Sequence, residues 1–130
     1  PVHALDLGPA DEGCVHLWAG VARLRSRKGK LADVRRELNG AIECFHASGR
    51  REYVYQGVLA KAEMLVVEKQ YDDALSELAY VKYESEQDEM WRLVIDAEVL
   101  SAAAQGLQGD RSAALESLRS AERRASKARY

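Results

Sequence analysis

The sequence predicts an all-α fold of about six helices, paired as three antiparallel hairpins with a 40-residue period. Three observations lead there. The two prolines, Pro1 and Pro9, both precede the first periodic segment, and from Cys14 to Tyr130 nothing breaks a helix by removing an N–H. Apolar residues recur at steps of three and four, the spacing of one helical face. The chain also repeats itself: GDRSAALESL (109–118) echoes KQYDDALSEL (69–78) and GKLADVRREL (29–38).

Shifting the chain by that period brings three copies into line without a gap. The aligned columns are Ala22/Ala62/Ala102, Val34/Ala74/Ala114, Leu38/Leu78/Leu118 and Ala41/Val81/Ala121. The first copy, 13–50, holds helices at about 13–28 and 31–48, and residues 1–12 form an N-terminal extension. The second, 51–88, holds helices at about 51–68 and 71–86, with Val58, Ala62 and Leu65 on one face of the former. Ala74 and Leu78 form one face of the latter, four residues and so one turn apart. Ser85 to Glu89 reads as a short polar loop. The third copy, 89–128, holds helices at about 89–107 and 111–128, with Asp110 placed to cap the second through its carboxylate. Gly29, Gly49 and Gly109 fall at expected turns, where glycine reaches positive φ without steric cost. One hairpin cannot bury its apolar stripe alone, so three copies form one helical-repeat domain over 1–130.

Composition fits a folded, water-exposed protein: 130 residues, 47% hydrophobic, 31% charged and a net charge of −2. Charge is unevenly placed. Residues 52–98 carry four Lys/Arg against twelve Asp/Glu, while 1–51 carry nine against six and 99–130 six against three. The expectation is solvated helix faces, with no bulk attraction to nucleic acid or membrane. No apolar run is long enough to span a bilayer and no signal peptide is seen, which suggests a cytoplasmic protein. The chain starts at Pro1 without methionine, as expected of an excised domain or processed product.

The first copy carries Trp18, Val21 and Ala22, close to the W-x2-L-G run of tetratricopeptide repeats. The resemblance implies a right-handed solenoid, although Arg25 replaces an expected aromatic and the period exceeds the usual 34. The third copy, WRLVIDAEVLSAAAQGLQGDRSAALESLRSAERRA (91–125), narrows it. Leu100, Ala102, Ala104, Gln108, Gly109 and Asp110, then Ala113, Ala114, Leu115, Leu118 and Ala121, resemble the repeat region of large MalT-type bacterial transcription regulators of the LuxR family. That resemblance covers roughly 51–125. It implies a sensor or coupling segment that binds an inducer or regulatory protein and controls self-association. The ATPase and DNA-binding parts of such regulators have no counterpart here: no G-x4-G-K-[ST] loop occurs and no recognition helix follows.

Several residues invite a catalytic or metal reading. Cys14 and Cys44 lack metal-ligand spacing and read as buried free thiols. Cys14/His16 and Cys44/His46 are two residues apart, so on a helix the members of each pair do not face each other. A Cys2His2 site across a hairpin is the remote alternative. His46 near a helix C-terminus suits the dipole there. The acidic run ESEQDE (84–89) lacks the glycine and ligand alternation of a calcium loop. The basic run RLRSRKGK (23–30) has no interleaved aromatics for stacking bases, so it reads as a solvated face or a match for an acidic surface. Tyr53, Tyr55, Tyr71, Tyr80, Tyr83 and Trp91 are expected mainly in packing, with some lining a groove.

These readings point to a non-catalytic module without cofactor or metal. It would bind a protein, a peptide or a small-molecule inducer, and self-association is open to it. The first helix of each hairpin would line a concave wall, with Gln56, Leu59, Glu63 and Val66 in the second copy and Arg92, Asp96, Val99 and Ala103 in the third. The favoured function is the sensor domain of a bacterial transcription regulator. The alternative is a free-standing adaptor or chaperone that cradles a partner peptide.

Overall fold

A computed structural model of the chain describes residues 8–26 and 30–128. Six α-helices follow one another: α1 Pro9–Ser26, α2 Leu31–Ser48, α3 Arg51–Val67, α4 Tyr71–Gln87, α5 Trp91–Leu107 and α6 Arg111–Ala128. The described residues contain no strand. The period holds: α2, α4 and α6 begin at 31, 71 and 111, and α3 and α5 at 51 and 91. The first helix starts earlier than expected, at Pro9, in the first turn where a missing N–H has no helical partner to lose. Residues 27–29, with Gly29 and part of the basic run, and residues 1–7 of the expected N-terminal extension lie outside the described residues.

Four connections share one backbone form. Gly49, Lys69, Glu89 and Gly109 have φ of 71°, 63°, 57° and 93°, a left-handed residue every twentieth position. Each donates its N–H to the carbonyl three residues back: Gly49 to His46, Lys69 to Val66, Glu89 to Glu86 and Gly109 to Gly106. The next residue donates to the carbonyl five back: Arg50 to Phe45, Gln70 to Leu65, Met90 to Ser85 and Asp110 to Gln105. This pair of bonds is the Schellman closure of a helix C-terminus. The same next residue then opens the following helix, its carbonyl accepting from Val54, Ala74, Val94 or Ala114. Helix end, turn and helix start thus occupy three residues. At the last of these turns Asp110 adds a side-chain cap, accepting from the Ala113 N–H at 3.1 Å.

The chain forms two compact units, Pro1–Met64 and Leu65–Tyr130. In the first, α1 and α2 run antiparallel, with Gly13 beside Phe45 and Gly20 beside Leu38. A Cβ at Gly20 would come within 2.8 Å of the Leu38 side chain, and one at Gly13 within 2.6 Å of the Phe45 ring. Glycine at both positions is what lets these helices approach so closely. Phe45 also meets Tyr53 of α3 with ring centroids 5.3 Å apart, and Ile42 lies against Gly57. Val34, Leu38, Ala41 and Phe45 fill the buried stripe of α2.

In the second unit, α5 packs against both α4 and α6. Ala74, Leu78, Val81 and Ser85 are the buried face of α4, and Leu93, Val94, Ala97, Glu98, Ala102 and Ala104 that of α5. Ser85 corrects the expected loop. Residues 85–87 complete α4, and the turn is confined to Asp88–Met90. Ser85 takes the repeat position that Phe45 holds in α2, so this polar-looking run carries one fully buried side chain. Aligned columns also split by environment, and only Ala41/Val81/Ala121 is buried throughout. Leu38 and Leu78 are wholly buried, whereas Leu118 of α6 is 45% exposed. Ala62 and Ala102 are buried, whereas Ala22 is exposed. Tyr55 is buried, but Tyr80, Tyr83 and Trp91 are exposed. No helix among the described residues is long and apolar enough to cross a membrane.

An L-residue in the left-handed region costs about 1–2 kcal/mol, partly offset by the greater freedom glycine gives the unfolded chain. Lys69→Gly and Glu89→Gly are therefore each expected to raise stability by up to about 1 kcal/mol in urea titration. Gly49→Ala and Gly109→Ala should lower it by about as much.

Candidate functional site

The eight expected binding residues divide between α3 and α5. Arg92, Asp96, Val99 and Ala103 follow one another at steps of four, three and four along α5, and all four are exposed. They form a continuous stripe, charged toward the N-terminal end and apolar beyond. Gln56 of α3 is exposed, while Leu59, Glu63 and Val66 are half-buried. Gln56, Leu59 and Glu63 belong to the first compact unit, Val66 and the α5 stripe to the second.

Asp96 is the most perturbed group on the stripe. Its residue surface is exposed, yet desolvation around the carboxyl raises its pKa above the ordinary value, and the opposing charge of Arg92 does not cancel this.

The opposite side of α5 carries a feature that the spacing alone did not reveal. Glu98 is 2% exposed and faces cations from both neighbouring helices. Arg124 Nε of α6 lies 2.8 Å from one carboxylate oxygen, and Lys82 Nζ of α4 lies 3.6 Å from the other. Arg124 also reaches Glu86 of α4 at 3.3 Å and sits 5.9 Å from the centroid of the Trp91 ring. The Arg124 Nε contact is an ion pair by distance without the alignment of a hydrogen bond, so Coulomb attraction carries it. Two carboxylates and two cations make a neutral cluster that ties α4, α5 and α6 together. Above it, Gln105 meets the Ser117 hydroxyl at 2.8 Å, and Gln108 donates to Asp72 at 2.7 Å. One signal was available in the sequence: Glu98 occupies the repeat position of Val58, a charge where its copy has an apolar residue.

The cysteines and histidines do not pair with one another as the sequence invited. Cys14 and Cys44 are free and half-buried, rather than fully buried as expected. Burial, then the charges of Glu12 and Glu43, pushes the Cys44 thiol up, away from a reactive thiolate. His16 turns instead to Glu37 of α2, at 2.7 Å, and Arg23 meets the other oxygen of the same carboxylate at 3.2 Å. His46 is exposed in the last turn of α2. No group of three His, Cys, Asp or Glu among the described residues could hold a metal ion.

Two outcomes follow. Arg124→Met leaves the buried Glu98 carboxylate with Lys82 alone and is expected to cost up to about 3 kcal/mol, the low end for breaking a buried pair, whereas adding Glu98→Leu should recover most of that loss in urea titration. The hydrogen bond from His16 holds Glu37 below the ordinary carboxylate value, with the charges of His16 and Arg23 adding to it and burial opposing. A depressed acid stabilises the fold above its unfolded value and loses that contribution as pH falls through its folded one. Glu37→Gln should therefore flatten stability against pH below 4.5, by less than about 1 kcal/mol at these partly exposed groups. No family model, curated protein or solved structure matches the chain.

Proposed function

We propose that this chain is a non-catalytic helical-repeat recognition module, the sensor or coupling segment of a bacterial transcription regulator. The observation that carries the reading is the exposed stripe Arg92, Asp96, Val99 and Ala103 on α5, a helix otherwise buried on the faces turned to α4 and α6. A stripe that joins a charge pair to an apolar run suits an amphipathic helix or a small molecule with one cationic end. Asp96 would take the cation, and Val99 and Ala103 the apolar part. Gln56, Leu59, Glu63 and Val66 of α3 are the second set of candidate contacts. The likeness to MalT-type regulators in residues 91–125 supports the regulatory setting.

Signalling would follow from differential binding. A ligand that prefers one arrangement of the helices shifts the population toward it, by no more than its difference in affinity for the two states. The Glu98 cluster behind α5 supplies discrete contacts to α4 and α6 through which displacement of α5 would be felt.

An array of amphipathic helical peptides bearing Lys or Arg at the apolar border tests the reading. Asp96→Lys is expected to weaken the best binders by about tenfold or more, the loss of a well-placed interfacial charge contact. Val99→Glu should do the same. Equal binding by the parent protein and both variants across the array would overturn the assignment to this face.

A further inference from the structure

The first and last described helices expose what the others bury. On α1, Val15, Trp18 and Ala22 form a stripe at steps of three and four, and Trp18 is 68% exposed. One period on, the same positions in α3 are Tyr55, Val58 and Ala62, all buried. Two periods on, they are Ile95, Glu98 and Ala102 in α5, of which the last two are buried. On α6, Leu115 and Leu118 are exposed, whereas the Leu118 position is wholly buried in α2 and α4.

The Trp18 position belongs to a junction that recurs within the chain, where Glu98 of α5 meets Lys82 of α4. In the first unit, α3 lies antiparallel on α2, with Gly57 against Ile42 and Tyr53 against Phe45. In the second, α5 lies antiparallel on α4, with Glu98 against Lys82 and Gln108 against Asp72. Moving the first junction on by one period superimposes Ile42 on Lys82 and Gly57 on residue 97, next to Glu98, so both share one register. α6 stands in the place of α2 and α4, and α1 in the place of α3 and α5.

From this we propose that copies of this chain associate head to tail, α1 of one copy seating on α6 of the next in the register of the α2–α3 and α4–α5 junctions. That register sets Ala22 against Leu118 and Trp18 between Ala121 and Ala125, beside Glu122. It also brings the N-terminal turn of α1, with exposed Asp11 and Glu12, to the C-terminal part of α6, where Arg123 and Lys127 are exposed. The antiparallel sense follows from the repeat, and the opposite charges at this end agree with it. The proposal does not rest on the α5 reading, since it uses different residues and no peptide ligand.

Sedimentation velocity over a concentration series up to about 1 mM, well above a micromolar Kd, tests it. The parent protein is expected to grow beyond a dimer as concentration rises, because a heterologous contact leaves both faces free at the ends. Trp18→Glu and Leu118→Glu should each weaken association more than about tenfold, as removal of a central apolar anchor does. Mixed in equal amounts, these two variants should form a dimer that grows no further, since only one intact pair of faces remains. Circular dichroism checks that both keep their helices. Should either lose them, the charge swap replaces the test: Glu12→Lys and Lys127→Glu should each weaken association, and the double variant should restore it. A parent protein that stays monomeric throughout would overturn the proposal. So would a dimer unaffected by these changes, or a variant mixture with no heterodimer.

Discussion

The left-handed residue that recurs at every twentieth position is the constraint on which the rest depends. It lets a helix end, reverse and restart within three residues, and it satisfies two orphan carbonyls as it does so. Within each unit, a turn this short leaves the next helix no choice but to run back along the previous one. Helix length, antiparallel sense and the face presented to the neighbour then follow from one backbone angle. Lys69 and Glu89 take that angle without being glycine, so at these turns the side chain's steric cost is offset by the hydrogen bonds that close the helix.

Given that turn, helix separation is decided by side-chain size along the facing stripes. In the first unit glycine faces large residues, Gly13 with Phe45 and Gly20 with Leu38, so that bulk on α2 fills space left by α1. In the second unit the same problem has a polar solution. Glu98 stands where α3 has Val58, and the charge is neutralised from both sides by Lys82 and Arg124. A valine would pack against any apolar neighbour, while a carboxylate accepts only an arrangement that brings cations to it. The second unit is thereby tied to one alignment of three helices, as buried polar groups do when they select among similar packings.

The helices and their period were legible because each copy repeats both its apolar spacing and its turn positions. The environment of a repeated position was not. Leu38, Leu78 and Leu118 are the same letter in one column, but burial depends on what lies beyond the helix, which the letter does not encode. Ser85 was hidden for the opposite reason: polar neighbours mask a position that the column of Phe45 marks as interior. Glu98 could have been suspected from its column. Its partner Arg124 could not, since it lies on another helix with several other arginines nearby. Of the candidate site, the α5 stripe was readable from helical spacing, whereas the desolvation of Asp96 emerges only from surrounding atoms.

The spacing of the left-handed residues also bears on how such a chain can change its length. One helix with its turn is half a period, but successive helices are not equivalent: α2 and α4 present one kind of face, α3 and α5 the other. Gaining or losing half a period would set two faces of the same kind against each other and strand the charges that now pair. Gaining or losing a whole period would restore every facing pair. Variation in a lineage of such chains is therefore quantised, with viable insertions and deletions arriving as whole hairpins. A single helix too many would act like a frameshift written in three dimensions.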